Sequence, residues 1–134
     1  MRNTSEKYKA YRMVCDIHRR IAKLMAMWTE WDVYGAVVYD LRVFETSAFE
    51  LREVVEEAIR AEDGDVNLPS ALLPVCRLIK ENPLDKYGTF RNHLKGITAA
   101  LRRLYRNPWF ETIKGGEEAW SFVWELMTCV KDYL

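Results

Sequence analysis

The sequence contains no long apolar run. None of its hydrophobic stretches approaches the roughly 20 residues that a membrane-spanning helix requires. The first residues, MRNTSEKYKAYR, are polar and lack the apolar stretch of a secretory signal. These two absences predict a soluble, intracellular protein that works in the cytoplasm and makes no contact with a membrane.

Cysteine and histidine are both scarce. The three cysteines, Cys15, Cys76 and Cys129, are far apart and in no C-x-x-C arrangement. They predict neither a disulfide framework nor a zinc site, and we expect buried free thiols in a reducing compartment. His18 and His93 are the only histidines, and the chain has no E-x-x-H pair of the kind that helical metal centres use. We therefore expect no metal and no other cofactor.

Motifs that carry catalysis are also missing. The chain has no glycine-rich phosphate loop of the G-x-x-x-x-G-K-[ST] or G-x-G-x-x-G type and no G-x-S-x-G nucleophile elbow. What is present is the composition of a folded protein, with 49% hydrophobic and 13% aromatic residues in 134 positions. We expect one folded domain, residues 1–134, with no catalytic residues that the sequence reveals.

Helical periodicity recurs along almost the whole chain, whereas the alternation of a β-strand is nearly absent. The pattern predicts an all-α fold, a compact single-domain bundle of five to six helices. The predicted helices cover residues 5–28, 32–44, 48–62, 70–81, 89–106 and 117–133. The loop EDGDVNLP separates the third from the fourth, because Gly64 can take a positive φ and Pro69 disfavours helical geometry before it.

Two details of these helices depend on local signals. The second segment, VYGAVVYDLRVF, is rich in β-branched residues, so a strand is the competing interpretation. Helix is preferred because no turn-flanked partner strand occurs elsewhere. Ser47 and Glu50 form an S-x-x-E capping box, which predicts that a separate third helix begins there.

Charge is segregated along the chain although the net charge is zero. Residues 1–24 and 77–106 are strongly basic, and residues 45–65 are strongly acidic. Such asymmetry indicates either a basic binding face or the mutual attraction of basic and acidic helices within one fold.

Basic residues fall in rows on two of the predicted helices. On a helical wheel, four cations of the fifth helix share one flank, a row about 22 Å long that can follow several phosphates. The first helix carries a second row, which Asp16 interrupts. The candidate nucleic-acid contacts are Lys9, Arg12, Arg19, Lys23, Arg91, Lys95, Arg102 and Arg106. The alternative is that these rows face Glu53, Glu56 and Glu57 within the bundle or across an oligomer.

Aromatic residues cluster at two predicted connections. Trp28 and Trp31 bracket the first, and Trp109 and Phe110 follow Pro108 in the last. Aromatic side chains near a surface often anchor protein partners, so these four are candidate partner-binding residues. The alternative is that they close the ends of the bundle over its core.

One catalytic alternative is a HEPN-like helical ribonuclease. Arg12 and His18, with five residues between them, are similar to the Arg and His of such enzymes, which four to six residues separate. At 100° per residue, however, His18 lies in the apolar side of the helix and Arg12 about 120° away. The wheel therefore predicts a buried His18 that does not converge with Arg12.

Together these patterns predict a non-enzymatic helical binding module. Its expected role is that of a small subunit, adaptor or inhibitor that contacts another protein chain, which includes a second copy of itself. The basic rows add RNA or DNA as a candidate partner within a nucleoprotein complex. The alternative is a HEPN-like ribonuclease or another enzyme without a recognisable motif.

Overall fold

The computed structural model of the protein describes residues 2–30, 35–68 and 86–132, and their side chains over 6–27, 41–68 and 90–132. Within these ranges all regular structure is helical. The elements are α1 (Arg2–Glu30), α2 (Gly35–Asp63), α3 (Lys86–Tyr105), a 3-10 turn at Phe110–Thr112 and α4 (Gly116–Lys131). The all-α prediction is confirmed for this part of the chain.

The first helix is central to the packing. Its apolar residues recur at spacings of three and four, so they form one stripe that contacts both α2 and α3. The fully buried members of this stripe are Ala10, Val14, Ile17, Ile21 and Leu24. The predicted helix at 5–28 is confirmed, and the observed helix is longer by a few residues at each end.

A single long helix replaces the predicted second and third helices. The helix α2 continues through Ser47 and Glu50, so the prediction of a capping box is wrong. Its buried residues, Leu41, Phe44, Ala48, Leu51, Val55 and Ile59, keep one helical stripe across the predicted break. Burying that stripe along one axis outweighs the local capping preference, since neither glycine nor proline interrupts this segment.

The end of α2 agrees with the sequence. Gly64 takes a φ of 79°, and its N–H donates to the carbonyl of Arg60 at 2.8 Å, which closes the helix in a left-handed cap. The predicted helix at 70–81 lies outside the described residues. The described part of the chain thus has four α-helices, where five to six were predicted for the whole.

The last two helices run antiparallel and are joined by a short connection. Asn107 shapes that connection, because its Oδ1 accepts from the N–H of Phe110 at 2.9 Å while its Nδ2 donates to the carbonyl of Glu6 at 3.0 Å. Gly115, at a φ of 81°, then turns the chain into α4. The helix α4 also packs against α2, which completes the bundle. Among the described helices, none is both long and apolar enough to cross a membrane.

Candidate nucleic-acid interface

The basic flank of α3 lines an open groove against the end of α4, with a volume of about 490 Å³. This α3–α4 groove is formed by Arg91, Leu94, Lys95, Thr98, Ala99, Arg102 and Lys131. Four of the seven residues are cations and none is acidic. Arg91, Lys95, Arg102 and Lys131 form no ion pair within the described part of the chain, so their charge faces the groove.

Three of these cations were predicted from the wheel, and the fourth comes from packing. Because α3 and α4 are antiparallel, the Thr98 hydroxyl oxygen lies 2.9 Å from the sulfur of Met127. Lys131 follows one turn after Met127 on α4 and lines the groove. Arg106 is exposed near the end of α3 but does not line the groove. Lys131 was missed because only the helix pairing brings it to this flank.

Three aromatic side chains continue the same face toward the end of α3. Trp120 and Trp124 stack at a ring-centroid distance of 5.2 Å and an interplanar angle of 13°, and Tyr105 lies 4.7 Å from Trp120. We call Tyr105, Trp120 and Trp124 the aromatic ladder. The indole N–H of Trp120 donates to the carbonyl of Leu101 at 2.8 Å, which fixes the ladder against α3.

The ladder and the groove meet at Arg102. Its guanidinium carbon lies 5.9 Å from the ring centroid of Trp124, a cation–π distance, while the same side chain lines the α3–α4 groove. On the helical wheel, Trp120 and Trp124 fall on the inward side of the predicted helix 117–133, and Tyr105 falls in the apolar stripe of the predicted helix 89–106. Both tryptophans are half-buried and pack against the core, whereas Tyr105 is 48% exposed. The spacing of four between the tryptophans was the signal that could have revealed the stack.

The basic row of α1 is only partly on the surface. Lys9 and Arg12 line a second groove, between α1 and α3, whereas Arg19 pairs with Asp16 on its own helix. Lys23 is 1% exposed, so its place in an exposed row is wrong. The physical reason is that residues 21–24 are all buried, which means that neighbours surround this turn instead of leaving one side open.

Two of the four candidate aromatic anchors lie in the core. Trp109 and Phe110 are 4% and 3% exposed, so the structure removes them from the candidate partner surface. Burial of Trp109 is possible because its N–H donates to the carboxylate of Glu62 at 3.1 Å, which also accepts from Lys7 at 2.8 Å. The side chain of Trp28 and all of Trp31 lie outside the described residues.

The structure keeps the candidate catalytic pair apart. His18 is 2% exposed, with its ring 5.8 Å from that of Phe49 on α2, whereas Arg12 lines the groove toward α3. Burial lowers the pKa of His18, although Glu45 opposes this shift. Burial likewise raises the pKa of the Cys15 thiol, which keeps it in its unreactive neutral form. Within the described residues no group of three or more potential ligands could hold a metal.

The opposite side of α4 is acidic. Glu111, Glu117, Glu118 and Glu125 line an open groove of about 510 Å³ there, together with Ile113 and Phe122. Phe122 is 63% exposed. The described surface therefore carries a basic groove lined mostly by α3 and a separate acidic groove lined mostly by α4.

Comparison of the chain with protein-family models, with curated proteins and with solved structures finds no match.

Proposed function

We propose that this protein is a non-enzymatic helical binding module that holds single-stranded nucleic acid on the surface formed by the α3–α4 groove and the aromatic ladder. The observation that carries the proposal is the position of Arg102, which joins a row of cations that form no ion pair among the described residues to a stack of exposed and half-buried rings. Single-strand binding surfaces combine these two features, since cations follow the phosphates while aromatic rings stack on bases.

The dimensions of the surface fit an extended strand. From Arg91 to Tyr105 the face runs along about 21 Å of helix, at 1.5 Å per residue. Four cations over this length offer contacts to several successive phosphates. Only a strand with unpaired bases can use the ladder, because the bases of a duplex already stack on one another.

Segregation of charge supports the same proposal. The groove residues include no carboxylate, and the glutamates of α4 lie on its other side. A polyanion is thus attracted to one face and repelled from the other, which orients the protein on its ligand despite a net charge of zero.

The test is a titration of the purified protein into fluorescently labelled single-stranded and duplex RNA and DNA, followed by anisotropy at low and at physiological salt. We expect tighter binding to the single strands, weakening steeply with salt, with the probes intact afterwards. Equal affinity for duplexes and single strands would show that the aromatic ladder does not stack on bases. Cleaved RNA would instead support the HEPN-like alternative.

A matched pair of variants separates local contacts from overall charge. The triple change Arg91→Gln, Lys95→Gln and Arg102→Gln removes three cations of the groove. The control Arg42→Gln, Arg60→Gln and Lys114→Gln removes three exposed cations elsewhere. Binding should be lost in the first protein and retained in the second.

A protein partner is the second candidate, and Phe122 is the observation that favours it. This ring is 63% exposed and lines the acidic groove, an arrangement that fits an apolar and basic segment of another chain. On this proposal the protein is a subunit or adaptor that contacts nucleic acid on one side of α4 and a protein on the other. A peptide rich in lysine and leucine should bind the wild type and not Phe122→Ser.

The thiols indicate where such a module works. Cys15 is buried and Cys129 exposed, and both are free. An exposed free thiol is compatible with a reducing compartment, so we propose the cytoplasm.

A further inference from the structure

The second groove lies between α1 and α3 and is also basic. This α1–α3 groove has a volume of about 350 Å³, and its cations are Lys9, Arg12, Arg20 and Arg103. Its remaining residues are Met13, Asp16, Gly96, Ala99 and Ala100. Ala99 lines the α3–α4 groove as well, so the two grooves adjoin across one turn of α3.

Arg20 is the most firmly held cation of this groove. Its Nε donates to Oδ2 of Asp16 at 3.0 Å, and its Nη1 donates to Nδ1 of His93 at 3.2 Å. These contacts come from two helices, and they fix the plane of the guanidinium. Asp16 adds little negative charge to the groove, since its other oxygen accepts from Arg19.

Some N–H donors of the Arg20 guanidinium remain available to a ligand. A guanidinium has five N–H groups, and the contacts to Asp16 and His93 use two of them. The other three have no acceptor among the described residues, and the side chain of Arg20 is 30% exposed. A planar fork of this kind binds a phosphate through two parallel hydrogen bonds.

Gly96 provides the space in which Arg20 lies. A Cβ atom at Gly96 would stand 2.5 Å from the Cζ and Nη1 atoms of Arg20, too close for either to stay in place. The lack of a side chain at this position is therefore what lets the guanidinium lie against α3. The three atoms nearest to such a Cβ all belong to the flexible end of Arg20, so a side chain at this position would displace that end first.

We propose that the α1–α3 groove is a phosphate-binding site in which Arg20, positioned by Asp16, His93 and Gly96, holds a phosphate of the bound strand. The inference rests on the proposed function, because it extends the path of the strand from the α3–α4 groove across Ala99. Arg12 and Arg103 line the same groove and provide further positive charge for the neighbouring phosphates. Strands that reach both grooves bind more tightly than strands that fill only one.

The test uses Gly96→Ala, which displaces the Arg20 guanidinium while α3 gains a better helix former. We expect its melting temperature to equal or exceed that of the wild type. Its affinity for a labelled single strand should fall about tenfold, the typical value of one charge-assisted hydrogen-bonded contact. Arg20→Lys keeps the charge but lacks the planar fork, and it should lose a similar factor. The exposed change Asn92→Ala on the same helix is the control.

Inorganic phosphate separates this proposal from the proposed function. Titrated into ¹⁵N-labelled protein, phosphate should shift the Nε–H signal of Arg20 in the wild type and not in Gly96→Ala. If phosphate shifts this signal but no strand binds, the groove is a site for free phosphate, and the proposal that it holds a phosphate of a bound strand is wrong. Wild-type affinity in both Gly96→Ala and Arg20→Lys would overturn the site itself, even if the α3–α4 groove binds.

Discussion

Trp120 and Trp124 lie one turn apart on α4, and their indole rings stack at a centroid distance of 5.2 Å with 13° between the ring planes. Tyr105 extends the stack at one end, and Arg102 lies over the ring at the other. Contacts within the protein hold the rings in this arrangement. A base that stacks on the ladder therefore adds to an ordered surface, which lowers the entropic cost of binding.

The ladder predicts a specific effect of removing its outermost ring. Tyr105→Ala should weaken binding of single-stranded nucleic acid by about 5- to 150-fold, the range for one base–aromatic contact. Its melting temperature should change little, because Tyr105 is 48% exposed. Tyr105→Phe keeps the ring and should bind like the wild type in the same anisotropy titration. Equal affinity of the alanine variant would show that no base stacks there.

Salt dependence reports how many phosphates the protein contacts. Four cations that each neutralise one phosphate of a single strand predict a slope of log K against log salt of about −3, and steeper if the α1–α3 groove takes part. The triple change Arg91→Gln, Lys95→Gln and Arg102→Gln should reduce the slope by about 2. Measurement of anisotropy at five salt concentrations gives the slope for both proteins. An unchanged slope would place the phosphates elsewhere.

The ion pairs of Lys7 predict a loss of stability in acid. Lys7 donates to Glu62 and to Asp63, each at 2.8 Å, and the hydrogen bond to Lys7 holds the pKa of Glu62 below its ordinary 4.5. Because a lowered carboxylate pKa stabilises the fold only above that ordinary value, this contribution disappears as the pH falls through the folded-state pKa. Glu62→Gln should cost about 1 kcal/mol at neutral pH, a modest figure because the side chain of Glu62 is 46% exposed.

Denaturant unfolding at neutral pH and at about pH 3 checks this difference. The wild type and Glu62→Gln should differ at neutral pH and converge in acid. A constant difference would mean that the substitution acts through packing and not through charge. Asp63→Asn is a companion variant, since the hydrogen bonds from Lys7 and Tyr8 lower the pKa of Asp63 in the same direction.

His18 predicts a second pH effect. Both ring nitrogens are buried without a hydrogen-bond partner in the described part of the chain, and burial lowers the pKa of His18 below its ordinary 6.5. The unfolded state therefore takes up a proton first as the pH falls, which costs stability below about pH 6.5. Relative to His18→Leu, the wild type should lose up to about 1.4 kcal/mol between pH 7.5 and 5.5.

The same variant tests the ribonuclease alternative. At neutral pH, His18→Leu should be as stable as the wild type or more so, because it removes a buried polar ring that forms no hydrogen bond to any described residue. Its binding of single strands should be unchanged. Strongly reduced stability at neutral pH would show that His18 has a structural partner. Loss of an RNA-cleaving activity on this substitution would identify His18 as catalytic.

The sequence alone predicts most of the described fold, because helical stripes are a local signal. The apolar stripes read from Tyr8 to Met25 and from Phe90 to Tyr105 placed α1 and α3 to within a few residues. The error at Ser47 has a physical cause, since a capping box also occurs within a helix when the apolar stripe continues past it. The buried stripe from Leu41 to Ile59 runs through Ser47, and precedence given to the cap produced the wrong boundary.

The candidate site was less predictable, because it depends on which helices pair. The wheel correctly grouped Arg91, Lys95 and Arg102, all on one helix. It gave no information on Lys131 or Arg20, which reach the grooves only through packing against α3. The wheel also placed Lys23 in an exposed row, and Trp109 was a candidate surface aromatic, but both side chains lie in the interior.

The most direct measurement is a map of backbone amide shifts when a short unlabelled single strand is titrated into ¹⁵N-labelled protein. The proposed function predicts that the largest shifts fall on Arg91, Lys95, Arg102, Tyr105 and Lys131, with Trp120 and Trp124 indole signals moving as well. The acidic side of α4, around Phe122, should stay unchanged. Shifts centred on Phe122, or no shifts at low salt, would contradict nucleic-acid binding by the α3–α4 groove and the aromatic ladder.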